Sequence, residues 1–126
     1  MWKSAFLAAL LAVGFSFMTG GLMDIDSNDA GVLDALNYAV QAHNRRSNDM
    51  YVRQVTEVIG AKAQVVEGVK YIITVKMART SCRKGNNNEV CSTHTDPQLA
   101  QNYECTFTVW SRPWLNDTRV MGEKCV

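Results

Sequence analysis

At 126 residues the chain is sized for a single domain. Its 13 Lys and Arg nearly balance 12 Asp and Glu, with no basic stripe, which excludes nucleic acid and anionic lipid as partners drawn in by charge. Beyond the N-terminal stretch no long apolar run occurs, so the mature protein is expected to be soluble and to have no membrane partner.

Met1-Trp2-Lys3 gives a short positive start, an uncharged apolar core follows over residues 5–13, and small residues come next at Gly14 and Ser16. That layout predicts a secretory signal peptide over residues 1–16, cleaved after Gly14 or Ser16, and a single domain over 17–126. The core is too short to span a bilayer, and a buried N-terminal helix is the less favoured alternative. Loss of Lys3 with the signal lowers the formal charge from +1 to 0.

Gly20-Gly21 reads as a hinge ahead of the first ordered residues, Leu22 to Ile25. Ser27-Asn28-Asp29 then offers side-chain oxygens to cap a helix. Val32, Leu36, Ala39, Val40 and His43 share one face at three-and-four spacing, which predicts one amphipathic helix of about four turns. His43 continues the apolar face and reads as a half-buried packing residue, and Arg45-Arg46 as a solvated helix end. The polar run 44–49 ends the helix.

From Met50 the period changes to alternation. Residues 50–63 and 69–80 read as two long strands, the second with Tyr71, Ile73, Val75 and Met77 on one side. Between them lies Gln64-Val65-Val66-Glu67-Gly68, in which only Gly68 is good turn chemistry. Two stiff, apolar valines at a hairpin tip make sense if something else buries them, so this tip is expected to meet a partner protein. Residues 82–102 form a polar, irregular excursion broken again at Asp96-Pro97. Residues 103–110 resume alternation, with Cys105, Phe107 and Val109 on one side. Pro113-Trp114 then caps a second hairpin that returns through a last strand over 119–126.

The cysteines, Cys82, Cys91, Cys105 and Cys125, are even in number and follow a signal-like segment, which reads as a disulfide framework. Of the three connectivities, Cys82–Cys91 with Cys105–Cys125 closes two small local loops and is the expected one; each would add about 3 kcal/mol. A zinc site is disfavoured, because no Cys-x-x-Cys pair occurs and only His43 and His94 could assist.

No catalytic set emerges. The cysteines are better used as bridges, no Gly-x-Ser-x-Gly occurs, and phosphate loops and dinucleotide fingerprints are absent, so neither an enzyme nor a cofactor is expected. Three features point instead to binding: the glycine hinge, the apolar first tip, and a second tip carrying Trp114 beside Pro113, a rigid anchor of the type that dominates interfaces.

Together these residues resemble the cystatins. Gln64-Val65-Val66-Glu67-Gly68 is similar to their Gln-x-Val-x-Gly motif, Pro113-Trp114 to their second-hairpin Pro-Trp, and Gly20-Gly21 to their N-terminal glycine pair. The order and spacing agree over the whole mature chain, and four C-terminal cysteines behind a signal resemble the secreted, type 2 branch. The resemblance implies an α+β fold, a five-stranded antiparallel sheet wrapped around one long helix. It implies reversible, tight-binding inhibition of papain-like cysteine proteases, such as cathepsins of the L, B, H and S types. It also implies the disulfide pairing chosen above. In that family the N-terminal segment at Gly20, the tip from Gln64 through Val65, Val66 and Glu67 to Gly68, and Pro113-Trp114 form a wedge that occludes the active-site cleft. Thr19 departs from the usual aliphatic residue before the glycine pair, Leu22 from the proline that often follows it, and Glu67 adds a charge at the tip. Ser47-Asn48-Asp49 resembles the loop with which some secreted cystatins inhibit legumain through the residue here numbered Asn48, although an ordinary helix-ending turn is the preferred reading. Asn116-Asp117-Thr118 is an N-glycosylation sequon, expected to be unoccupied or turned aside. The protein is expected to be a monomer, with a domain-swapped dimer accessible if Val66 is strained. A cystatin-fold binding protein without inhibitory activity is the alternative.

Overall fold

The computed structural model describes residues 21–85 and 90–126. Residues 1–16, read as a signal peptide, Thr19 and Gly20, read as a hinge, lie outside them.

Asp29 is the residue of the polar triplet that caps the helix, its Oδ1 accepting from the backbone N–H of Gly31 at 2.9 Å and of Val32 at 3.4 Å. Helix α1, Ala30–Arg46, places His43, Arg45 and Arg46 in its last turn, where positive charge suits the helix dipole. Its buried face is Val32, Ala35, Leu36, Ala39 and His43, and the chain leaves it at Ser47 in extended conformation.

Five strands form one antiparallel meander: β1 Met23–Asp24, β2 Tyr51–Val66, β3 Gly68–Arg83, β4 Tyr103–Arg112 and β5 Asp117–Cys125, in that spatial order. The helix fills the concave side. Ile73, Val75, Met77, Phe107 and Val109 are fully buried against its face, each such side chain stabilising the fold by roughly 1.5–3 kcal/mol. The implied fold class, a five-stranded sheet with one long helix, is the observed one.

The alternation expected along the first long strand is broken twice. The pairing steps from Val55↔Met77 to Glu57↔Lys76 and from Val58↔Val75 to Gly60↔Thr74, leaving Thr56 and Ile59 as extra residues. Core-side positions on β2 therefore run Val55, Val58, Ala61 and Ala63. Bulges of this kind bend a strand and sharpen its twist, which lets a strand of 16 residues curl around a helix.

β3 changes its buried side partway. Tyr71, Ile73, Val75 and Met77 face the helix, but Ala78, Thr80 and Cys82 are buried on the other parity. They lie under the excursion that follows β3, fastened by the Cys82–Cys91 disulfide and the Thr80↔Thr93 bridge. That excursion is less irregular than its composition suggests. Asp96-Pro97, read as a breaker, opens the short helix α2, Pro97–Ala100, with Asp96 as N-cap and Pro97 in the first turn, where its missing N–H costs nothing. The second disulfide joins Cys105 and Cys125, which face each other across β4 and β5. Both bridges are the expected ones.

Candidate functional site

The two hairpin tips lie side by side at one end of the sheet. β3 and β4 stay paired up to Val69↔Ser111, so the β2–β3 turn and the 3₁₀ turn Pro113–Leu115 between β4 and β5 are neighbours. The first tip is tighter than expected. Gln64, Val65 and Val66 belong to β2, pairing with Lys70, Val69 and Gly68, and Glu67 alone stands between the strands. β-branched residues prefer this extended geometry, so the valines extend the strand to its end. Gly68 takes the left-handed conformation, φ +87°, that the reversal needs. A Cβ on Gly68 would also collide with the Ser111 carbonyl oxygen and lie 2.9 Å from Arg112 Cγ. Glycine at this position serves both the turn and the close approach of the second hairpin.

The side chains at this edge are apolar and uncovered: Val65 is 56% exposed, Val66 42% and Trp114 60%. Pro113 sets the φ of the second turn and Asn116 closes it at φ 49°, its N–H donating to the Pro113 carbonyl at 2.9 Å. The sequon residue Asn116 is thus exposed at the foot of the Trp114 loop. β1 runs antiparallel to β2 with Met23↔Ala63 and Asp24↔Lys62, so its Met23 end lies toward the tips. Gln64 to Gly68 and Pro113-Trp114 are brought together, whereas Gly20 is outside the described residues.

Sequence reasoning missed the residues that hold the tips to each other. Trp110 Nε1 donates to the Glu67 carbonyl at 2.7 Å. The Arg112 guanidinium lies 4.2 Å from the Trp110 ring centroid, 4.0 Å from the Glu67 carboxylate, and donates to Asp117. Arg119 donates to the same Asp117 at 3.1 Å. Hydrogen bonds from the Arg112 and Arg119 guanidiniums hold the Asp117 carboxyl below the usual carboxylate range. The only signal in the sequence was alternation, which puts Trp110 and Arg112 on the face opposite Val109.

Asn48 lies at the far end of β2, exposed in the α1–β2 connection. Its neighbours are braced: Ser47 Oγ accepts from the Asp49 N–H at 3.1 Å, Asp49 Oδ1 accepts from the Tyr51 N–H at 3.0 Å, and Lys84 Nζ donates to the Ser47 carbonyl at 2.6 Å. Asp49 also pairs with Arg53 at 3.0 Å and Arg79 at 3.2 Å. Burial pushes its carboxyl up, but the Tyr51 N–H and the two arginines outweigh burial and hold it below the ordinary value.

His43 is buried, as its place on the apolar face requires, yet it is not an inert packing residue. Its Nδ1 meets Glu123 and its Nε2 the Tyr103 hydroxyl. The sulfurs of Cys105 and Cys125 are within ligand reach of His43, but they are bonded to each other. The cluster is a polar seat for the helix.

A two-tipped antiparallel sheet around one helix, with an apolar edge and two disulfides, defines a small binding module. The family model described as Cystatin domain matches residues 20–114. The chain is 58% identical to Cystatin-C of Paralichthys olivaceus over 94% of each chain, and 51% identical to Cystatin of Oncorhynchus keta over 98% of this chain and 97% of that one. The crystal structure of dimeric human cystatin F superposes with a TM-score of 0.77 at 34% identity, covering 86% of this chain and 87% of that one. The chain belongs to the cystatin family. Like the family, it is a cysteine protease inhibitor and not an enzyme.

Proposed function

We propose that this chain is a secreted, reversible, tight-binding inhibitor that occludes the active-site cleft of papain-like cysteine proteases of the cathepsin type. The wedge consists of the segment at Gly20, the tip Gln64 to Gly68, and Pro113-Trp114. The observation that carries this reading is the shared edge: Val65, Val66 and Trp114 are exposed on two tips locked at contact distance through Gly68. Val65 and Val66 obstruct the cleft, Trp114 packs on its primed side, and neither tip supplies reactive chemistry. The two hairpin tips are ordered before binding and lose little entropy on docking, so a modest contact area suffices for tight binding. Two disulfides accord with an extracellular site of action. Titration of the refolded mature protein against papain or cathepsin L tests the proposal. Stoichiometric inhibition is expected, and Trp114→Ala should weaken it by roughly 2–4 kcal/mol with the fold intact. Absence of inhibition at micromolar concentration with both bridges formed refutes it.

A second reading concerns legumain. Exposed Asn48 on a braced loop, at the end of β2 remote from the tips, supports an independent site there. An ordinary helix-ending turn is braced by the same bonds, and legumain titration of wild type against Asn48→Ala separates the two.

A further inference from the structure

We propose that Arg112 is a positioning residue that couples the two tips into one rigid body. The inference rests on the reading of those tips as a protease-blocking wedge and adds the residues that set its geometry. Arg112 is the last residue of β4 and faces Asp117, the first of β5, across the mouth of the second hairpin. Its guanidinium donates to Asp117 on that side. On the other side it lies over the Trp110 ring and beside the Glu67 carboxylate. Trp110 completes the circuit by donating from Nε1 to the Glu67 backbone carbonyl at 2.7 Å. A chain of contacts therefore runs from the second hairpin through Arg112 and Trp110 to the single residue that turns the first.

The geometry gives each member a distinct task. Arg112 is largely covered, its side chain 17% exposed, and Asp117 is 22% exposed, whereas Glu67 is 70% exposed. The Arg112–Asp117 pair is the fixed anchor and Glu67 is the group being held. Arginine suits this place because its planar fork can bond a carboxylate at one edge while its face stacks on an indole, which lysine cannot do. Glu67 sits between Val66 and Gly68, so holding its carbonyl holds the turn that ends the strand carrying Val65 and Val66. The Glu67 carboxylate itself stays largely exposed, 4.0 Å from Arg112.

The test uses the full mature chain with both disulfides formed and three substitutions, Arg112→Met, Arg112→Lys and Trp110→Phe, with the Arg112→Met/Trp110→Phe double variant. Amide hydrogen exchange in the free protein reads tip mobility without any protease. Residues 66–68 should exchange roughly tenfold faster in Arg112→Met and Trp110→Phe, with the central pairs of β3 and β4 unchanged. The papain complex should dissociate roughly tenfold faster, with little change in association rate. Because Arg112 reaches the Glu67 carbonyl only through the Trp110 ring it stacks on, the double variant should be little worse than the worse single one. Arg112→Lys should behave like Arg112→Met. Unchanged tip exchange overturns the proposal whatever happens to inhibition, since weaker inhibition alone would mean that Arg112 touches the protease directly. Full rescue by lysine, or strict additivity of the double variant, also overturns it. If the wild type fails to inhibit papain, the wedge reading fails, and the exchange data still decide the role of Arg112.

Discussion

Gly68 carries two constraints that no other residue meets together. A side chain there would be strained at φ +87° and would strike the Ser111 carbonyl. Gly68→Ala should therefore cost about 1–3 kcal/mol, read as a lowered denaturant midpoint, and should weaken protease binding as the tips separate. Gly31 is a different case. Helix propensity alone says that alanine there should stabilise by up to about 1 kcal/mol. The new Cβ would instead collide with the Tyr71 hydroxyl, and Tyr71 is only 9% exposed and has little freedom to yield. Gly31→Ala is expected to destabilise, and to do so less in a Tyr71→Phe background. Equal losses in both backgrounds would place the conflict elsewhere. The sequence around Gly31 does not announce this conflict, since a partner 40 positions away leaves no local trace.

At the scale of elements, the helix is held from its two ends. Asp29 caps its start, while His43, Glu123 and Tyr103 seat its last turn against β4 and β5. Just beyond it, Asp49 ties the connecting loop to β2 and β3 through Arg53 and Arg79. The Asp49 carboxyl is lowered in the folded state. Its contribution to stability is thus present above the ordinary carboxylate value of about 4 and is lost as pH falls below that value through the folded pKa. Acid unfolding followed by circular dichroism should show this limb below about pH 4, with a flatter limb in Asp49→Asn. The helix, both tips and both disulfides were legible beforehand, because apolar spacing, turn residues and cysteine spacing are local. The β2 bulges at Thr56 and Ile59 were not, since alternation on one strand says nothing of the register its partner accepts. Asp96-Pro97 was misread for a related reason: the same dipeptide breaks one helix and starts another.

For the molecule as a whole, the sheet places the tips at one end and the Asn48 loop at the other. The strand joining them has 16 residues, roughly 50 Å of contour at the rise of extended chain. The same architecture bears on domain swapping, which was expected to be accessible if Val66 is strained. Among the described residues positive φ occurs at Gly68, Gly85, Gln101 and Asn116, and Val66 is ordinary strand. With that motive gone, the protein should remain monomeric and inhibitory after mild heating. Size-exclusion chromatography checks this, and a stable dimer that has lost inhibition would show that the first hairpin opens for some other reason.

What the amino-acid sequence determined by itself was the sort of molecule this is: one helix, long strands, two apolar tips, a disulfide framework and no catalytic set. Those features follow from periodicity, turn chemistry and short-range spacing, which the chain states locally. Only the tertiary structure decided how the tips become a single surface. Gly68 meets Ser111, Trp110 reaches the Glu67 carbonyl, and Arg112 joins both to Asp117, and contacts between strands so far apart in the chain exist only once the register is set.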